Sequence, residues 1–347
     1  MKQNKNRKRS GWLTSHPIAL VIAAGVVVTV AIVAAVFCLA THDGDARWFY
    51  LPTTATNESV RDSLRSALGN SEGNKVYALW RAQGGKPERA HGAYRVEPGQ
   101  SALRTSRRMA QGAQTPVRLS FNNVRTLDEL AQRVCSRLEC SPDSFKAACR
   151  AVLPQAGFGR EEFTAAFIPD TYEMYWTAKG SEVVRRLLEY RNIYWNDERR
   201  AKAKALGLTP VEVSIIASIV EEETNVADER PVVARLYINR LRRGMKLQAD
   251  PTVKFATGNF GLRRITGAHL GVDSPYNTYR HAGLPPGPIR VADARAIDAV
   301  LDAPAHDYIY MCAKEDFSGR HNFARDFTEH QNNARRYQKA LNDRNIR

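Results

Sequence analysis

No acidic residue occurs among the first ten positions, and no charged residue of either sign lies between Ile18 and Ala40. The first absence leaves Lys2, Lys5, Arg7, Lys8 and Arg9 as an uncompensated basic cluster. The second leaves an uncharged run of 23 positions, and a helix rising about 1.5 Å per residue over that run covers the roughly 30 Å of bilayer hydrocarbon. The run exceeds the about 7 to 15 residues of a secretory h-region, and it leads into Thr41, His42, Asp43 and Gly44 rather than a small-residue cleavage site. A single transmembrane helix at 18–40 is therefore favoured over a cleaved signal peptide or a buried core helix. The positive-inside rule then makes 1–17 a basic cytoplasmic tail of a single-pass protein of the cell (inner) membrane, with nearly everything after residue 40 periplasmic or otherwise extracytoplasmic.

Cysteine is scarce, at five in 347 residues. Cys38 falls in the uncharged run, while Cys135, Cys140, Cys149 and Cys312 would meet an oxidising compartment in which one or two disulfides could form. The four lack paired C-x-x-C spacing, and no H-E-x-x-H or P-loop string is present, so neither a metal nor another cofactor is expected. Zinc-finger spacing and RNP-like strings are also missing, and an exported domain rarely meets nucleic acid, which is not an expected partner. What the chain has in excess is positive charge: the net is +15, of which the tail supplies a third. The remainder suits anionic lipid headgroups or an acidic polymer.

Along the exported part, FYLPT (49–53) reads as a strand. Asn57 opens a helical pattern through Val60, Leu64 and Leu68 to Gly69, and VYALWRAQG (76–84) gives a second helical run. HGAYRVEPGQS (91–101) reads as a strand, a Pro98-Gly99 turn and Ser101 as helix cap. Residues 46–115 thus form a small α+β module. PVRLSF (116–121) and the capping-box pattern Thr126–Glu129 open a larger α+β domain at 116–347.

Within it, IIASIVEEETNVADERP (215–231) runs from apolar residues into three glutamates. Thr209, Pro210 and Glu212 supply a cap, a first-turn proline and a capping-box acid, so a helix is expected from about 210 to at least 223. At about 100° per residue from Ile215, the apolar arc centres near 80°. Glu223 falls near 80°, Glu222 near 340° on the arc's edge, and Glu221 near 240° on the far side. The wheel turns Glu223 inward and leaves Glu221 as an ordinary solvated acid. A carboxyl against apolar walls resists ionisation and can donate a proton near neutral pH. The alternative is a buried acid paired with Arg230, Arg235 or Arg240.

IASIVEEET, VVARLYINRLRRGMKLQADPTV (232–253), SPYNTYRHAGLPPGPI (274–289) and FIPDTYEMY (167–175) together resemble the YceG-like endolytic murein transglycosylases (MltG family) in order and approximate spacing. The resemblance covers most of the chain. It implies a LysM-like module at 46–115 that helps place glycan strands, and a YceG-like catalytic domain at 116–347. The family's catalytic acid is the second glutamate of an E-x-E-T motif, which maps onto Glu223. The implied reaction protonates the oxygen of a MurNAc-GlcNAc linkage, then uses the same carboxylate as base while the muramoyl 6-hydroxyl closes a 1,6-anhydro ring. The implied task is to cut nascent peptidoglycan strands internally near the membrane and so terminate their elongation, with peptidoglycan synthases as possible partners.

A hydrolase would need a second carboxylate, for which Asp250 is the candidate unless its X-Pro turn engages it with its own backbone. Tyr276, Asn277, Thr278 and Tyr279 form a polar, aromatic cluster suited to sugar binding, or a loop stiffened by Pro285 and Pro286. Gln248, Thr252 and Asn239 are further candidate substrate contacts, and Asp170 is a cap or turn residue. The chain departs from the family's pattern at Phe121-Asn122-Asn123, where an acid and a glycine are common, and in its cysteine group. A non-enzymatic wall-binding scaffold remains the rival from another class.

Overall fold

The computed structural model describes residues 17–38, 42, 44–262 and 264–344. The basic tail before Pro17, and Leu39 and Ala40 at the end of the expected span, lie outside them. The chain is mixed α+β and divides into two compact units, Met1–Val117 with Tyr175–Thr177, and Arg118–Met174 with Ala178–Arg347.

The first unit begins with helix α1 (Pro17–Cys38), whose apolar part among the described side chains runs Leu20–Ala35. No single helix among the described residues is long and apolar enough to cross a membrane. The described side chains of α1 are nonetheless exposed: Ile18, Val21, Ile22 and Val27 are each more than 60% exposed. After it come β1 (Arg47–Leu51), α2 (Asn57–Leu68), α3 (Asn70–Ala82), the single turn α4 (Pro87–Ala90), β2 (Gly92–Val96) and α5 (Ala102–Ala110). Strands β1 and β2 pair antiparallel, with Arg47 opposite Val96 and Leu51 opposite Gly92.

Alternation in the strands and 3.6-residue spacing in the helices turn Phe49, Leu51, Tyr94 and Val96 onto Val60, Leu64, Val76 and Trp80, forming one buried core. Thr56 and Ser59 cap α2 reciprocally, and Ser101 accepts from Arg104 N at 3.3 Å to cap α5. Helices α2 and α3 cross closely at Gly73, where a Cβ would come within 2.6 Å of Leu64 O. Gly69-Asn70-Ser71-Glu72-Gly73 matches G-x-S-x-G, but it joins two helices instead of forming the strand-to-helix elbow a serine hydrolase needs.

In the second unit, β3 (Val117–Ser120) pairs with β4 (Thr171–Met174), and between them lie α6 (Leu127–Cys135), α7 (Pro142–Val152) and two short 3-10 turns. Then follow α8 (Gly180–Tyr194), α9 (Asp197–Leu206), α10 (Pro210–Glu223), α11 (Arg230–Arg242), α12 (Asp250–Thr257), the turn α13 (Gly267–Leu270), α14 (Ala294–Leu301), the hairpin β5 (Tyr310–Ala313) and β6 (His321–Ala324), and α15 (Phe327–Asp343). Helix α10 is the centre of this unit. Every residue from Val213 to Val220 is buried, Ser214 and Ser218 included, because α9, α11, α12 and α14 surround it. The two serines satisfy their hydroxyls on Pro210 O and Ile215 O, at 2.9 and 2.7 Å.

No disulfide forms among the described cysteines. The Cys135 and Cys140 sulfurs lie 3.3 Å apart as thiols, Cys149 is buried, and Cys312 sits on β5. Asp170 is a turn residue that accepts from Thr171 N and from the Tyr190 hydroxyl.

Candidate active site

Three neighbouring carboxylates at the C-terminal end of α10 have three different fates. The helix begins as its capping signals require, with Thr209 Oγ1 accepting from Glu212 N at 3.2 Å and Glu212 Oε2 accepting from Thr209 N at 2.7 Å. It stops where Thr224 turns extended, which makes Glu223 its last residue.

Glu221 is not a solvated acid. Its side chain is 8% exposed, lies 2.9 Å from Arg290 Nη2, and accepts from Asp293 N at 3.0 Å. Burial raises its pKa against those two interactions. The wheel failed here because it assumed one wet face, and α10 has none. Glu222 sits between Arg125 Nη2 at 2.9 Å and Arg290 Nη1 at 2.7 Å. The ion-pair alternative thus applies to Glu221 and Glu222, with arginines other than those expected. Arg290 also donates to Asn123 Oδ1 at 3.0 Å, so the unusual Phe121-Asn122-Asn123 segment reaches the network beside the third glutamate.

Glu223 has no ion pair among the described residues, and its Oε2 is buried without a hydrogen-bond partner. Burial, reinforced by the charge of Asp250, raises its pKa to about 7, against a hydrogen bond from Tyr237 and the charges of Lys254 and Arg240. Tyr237 is buried and its pKa is driven well above 10, first by burial and then by Glu223, so its hydroxyl stays a donor. A carboxyl in this state holds its proton near neutrality and can give it up.

It faces a cavity of about 210 Å³. Helix α11 contributes Leu236, Tyr237 and Arg240, the segment after it contributes Gln248 and Asp250, and Tyr279 and His321 close the lining. Arg240 is buried and braces the approach to the cavity, donating to Ile309 O at 2.6 Å, Leu247 O at 2.8 Å and Gln248 Oε1 at 3.3 Å. Gln248 takes a left-handed φ of 50°, uncommon outside glycine, which turns the chain into α12. Asp250 is the first residue of that helix; its Oδ1 accepts from the Tyr279 hydroxyl at 2.7 Å, so it is engaged across the cavity rather than by its own backbone.

Of the expected substrate contacts, Gln248, Asp250 and Tyr279 line the cavity with Glu223. The others do not. Asn277 is buried, donating to Leu270 O and Val272 O at 2.9 and 2.8 Å and accepting from Tyr279 N at 3.0 Å. Thr252 and Thr278 are buried and share a 2.8 Å hydroxyl contact, and Thr278 Oγ1 accepts from Ala249 N. Asn239 is buried and donates to His306 O and Tyr308 O. Tyr276 packs on Phe255 at 4.7 Å between ring centroids. These side chains spend their polarity on holding the backbone that carries the cavity-lining ones. Tyr237 and His321 were not foreseen. Tyr237 had a signal, since Val233, Leu236, Tyr237 and Arg240 follow helical spacing and place a phenol and a cation on a buried face. His321 had none, because it arrives on a hairpin nearly a hundred residues from Glu223.

The raised carboxyl makes a stability prediction. A group whose folded pKa of about 7 exceeds its ordinary 4.5 binds its proton more tightly in the folded state, so its contribution to stability is full below 4.5 and is lost as pH rises to 7. At about 1.36 kcal/mol per unit this amounts to about 3 kcal/mol. Glu223→Gln, neutral at every pH, is expected to melt several degrees above the wild type at pH 8 and close to it at pH 4.5; equal melting curves at pH 8 would contradict the burial of the charge.

Among the described residues, no group of three or more His, Cys, Asp or Glu is placed to hold a metal ion. The unit built around α10 presents a proton-holding carboxyl, Glu223, in a polar cavity. Residues 49–336 match the model of the YceG-like family, and the chain belongs to that family. It is 31% identical over 163 residues to the endolytic murein transglycosylase of Bacillus subtilis (strain 168), covering 47% of this chain and 44% of that protein. It is 32% identical over 134 residues to the Streptococcus pneumoniae (serotype 2, strain D39) protein of the same name, covering 38% of this chain and 24% of that one. The alignments thus span less than half the length of these curated relatives. A crystal structure of a putative YceG-like protein from Listeria monocytogenes has the same fold, with a TM-score of 0.54 and 22% identity over 83% of this chain and 98% of that one.

Proposed function

We propose that this protein is an endolytic peptidoglycan lytic transglycosylase with Glu223 as its acid. The observation that carries the reading is the Glu223 carboxyl, with a pKa of about 7 and an unpartnered Oε2, in the cavity lined by Gln248, Asp250 and Tyr279. The names of the Bacillus and Streptococcus relatives support the substrate class. Glu223 protonates the oxygen of a MurNAc-GlcNAc linkage as that bond breaks, and the muramoyl 6-hydroxyl attacks the anomeric carbon to close the anhydro ring, giving its proton to the carboxylate that Glu223 has become. Asp250 does not act on water in this scheme: its negative charge holds Glu223 protonated, and the Tyr279 hydroxyl holds its carboxylate.

The basic tail and α1 serve as a cytoplasmic-in membrane anchor, a role supported by the exposed apolar side chains of α1, which need lipid to cover them. The strand-helix-helix-strand order of the first unit supports a LysM-like glycan-holding role. A tethered enzyme meets newly made strands at high effective concentration, which suits termination of their elongation beside the synthases.

Cleavage in H₂¹⁸O tests the chemistry. New ends free of ¹⁸O are expected, because the 6-hydroxyl and not water is the nucleophile; ¹⁸O at the reducing ends would make the protein a hydrolase. Asp250→Asn is expected to retain cleavage with its optimum moved to lower pH, since removing the charge lowers the Glu223 pKa. Complete loss would instead give Asp250 the role of a second catalytic carboxylate.

A further inference from the structure

The turn between α6 and α7 brings two thiols into contact. Helix α6 closes at Ser136, whose N–H donates to Gln132 O at 2.9 Å and whose hydroxyl donates to Arg133 O at 2.8 Å. Helix α7 opens at Ser141, which accepts from Ser144 N at 3.2 Å, and Leu138 is buried between the two ends. The turn is thus held at both ends and in the middle. Cys135, the last residue of α6, and Cys140, the residue before the α7 cap, face each other across it with their sulfurs 3.3 Å apart. Bonding brings two sulfurs to about 2 Å, so a closure of little more than about 1 Å is needed here.

Both thiols are half-buried and therefore reachable from solvent. Their contact lowers the Cys140 pKa against the effect of burial and raises that of Cys135, so Cys140 is the readier thiolate and has a second thiol at hand. The other described cysteines have no sulfur contact with one another or with this pair. Cys149 is close enough to Cys135 to add to its upward shift, but it is buried, and burial pushes its own thiol up to about 12. Cys312 is half-buried on β5 and is also shifted upward by burial.

We propose that Cys135 and Cys140 form a disulfide in the exported protein, while Cys149 and Cys312 stay free. This rests on the extracytoplasmic placement given above, since a reducing cytosol would keep both thiols. In the step, the Cys140 thiolate attacks the disulfide of an oxidant, an exported thiol–disulfide oxidoreductase or oxidised glutathione. A mixed disulfide forms and one thiolate of the oxidant leaves. Cys135 then gives up its proton and attacks the Cys140 sulfur; the mixed bond breaks, and the oxidant leaves with its second thiolate. The two cysteines lose two protons and two electrons in all, and the oxidant's disulfide becomes two thiols. The bond ties the end of α6 to the start of α7 and restricts the unfolded chain. The helix it steadies carries Arg133, which lines a cavity of about 500 Å³ with Asn122, Asn123 and Glu221.

The test follows tryptic peptides of the full chain. Trypsin cuts after Arg137, between the two cysteines, so the bond leaves residues 134–137 and 138–146 as one species that dithiothreitol splits. Cells are quenched with acid and the protein is denatured in N-ethylmaleimide before digestion. The linked species is expected, with maleimide on Cys149 in peptide 147–150 and on Cys312. Reduction should lower the melting temperature of the purified protein on the order of 5 °C and leave that of the Cys135→Ser, Cys140→Ser double variant unchanged. Maleimide on both Cys135 and Cys140, a link from 134–137 to 147–150, or an equal fall on reduction in the double variant would overturn the proposal. Where both cysteines carry maleimide, treatment of the purified protein with oxidised glutathione separates the two failures. A bond that then forms means that the extracytoplasmic placement has failed, and no bond means that the pairing itself has.

Discussion

Glu223→Gln should abolish glycan cleavage, lowering kcat by about 10³-fold or more, while the folded protein still binds strands. General acid catalysis contributes roughly 10² to 10⁴, and among the described residues no other carboxyl in this cavity combines burial with a pKa near neutrality. The substitution keeps the volume and the Tyr237 contact and removes the transferable proton, so a fall in kcat without a fall in affinity marks the loss of chemistry rather than of shape. The wild-type rate should also fall above about pH 7 as the acid ionises, which is the alkaline limb of its pH profile. Cleavage by Glu223→Gln at rates near the wild type would leave a wall-binding scaffold, or an acid elsewhere, as the remaining accounts.

The largest effect on stability should come from Arg290→Ala. Arg290 is 8% exposed and bonds Glu221 at 2.9 Å, Glu222 at 2.7 Å and Asn123 at 3.0 Å. Removing one partner of a buried pair leaves an uncompensated charge and costs about 3 to 5 kcal/mol, which for a unit of this size lowers the melting temperature on the order of 10 °C. Glu222 keeps Arg125, so most of the penalty falls on Glu221. Burial already raises the Glu221 pKa, and losing the guanidinium raises it further, so the loss should shrink as pH falls and the acid takes up a proton that leaves no charge stranded. Thermal melts at pH 5 and pH 8 check both parts: a fall of less than about 2 °C at pH 8 would show that the network contributes little.

Local patterns made much of the fold legible. The caps at Ser101, Thr126 and Thr209 each accept the expected backbone N–H, because capping is decided within four residues. The helix at Asn57–Leu68, strand β2 and the helices capped by Ser101 and Thr126 follow from the same short-range periodicities, whereas β1 begins two residues and α3 six residues before the runs read from the sequence. Glu223 was legible for a related reason: its direction depends only on its angle to the apolar residues of its own helix. What depended on the surroundings of α10 was not legible. A wheel describes a helix with one buried stripe, whereas α10 is enclosed on all sides, so Glu221 met Arg290 instead of water. Several polar residues expected at the substrate lie away from the cavity for a similar reason. Asn239, Thr252, Asn277 and Thr278 look like ligand contacts as a string, but their partners are backbone groups from 3 to 69 residues away that only the fold brings near. His321 and Glu229 meet across 92 residues, beyond the reach of any local pattern.

The measurement that bears most directly on the account is mass spectrometry of glycan strands digested by the full-length protein, with Glu223→Gln in parallel. Internal fragments ending in 1,6-anhydromuramic acid from the wild type alone are the expected result. Reducing ends from the wild type, or the same anhydro fragments from Glu223→Gln, would contradict the assignment of Glu223 as the acid of a lytic transglycosylase.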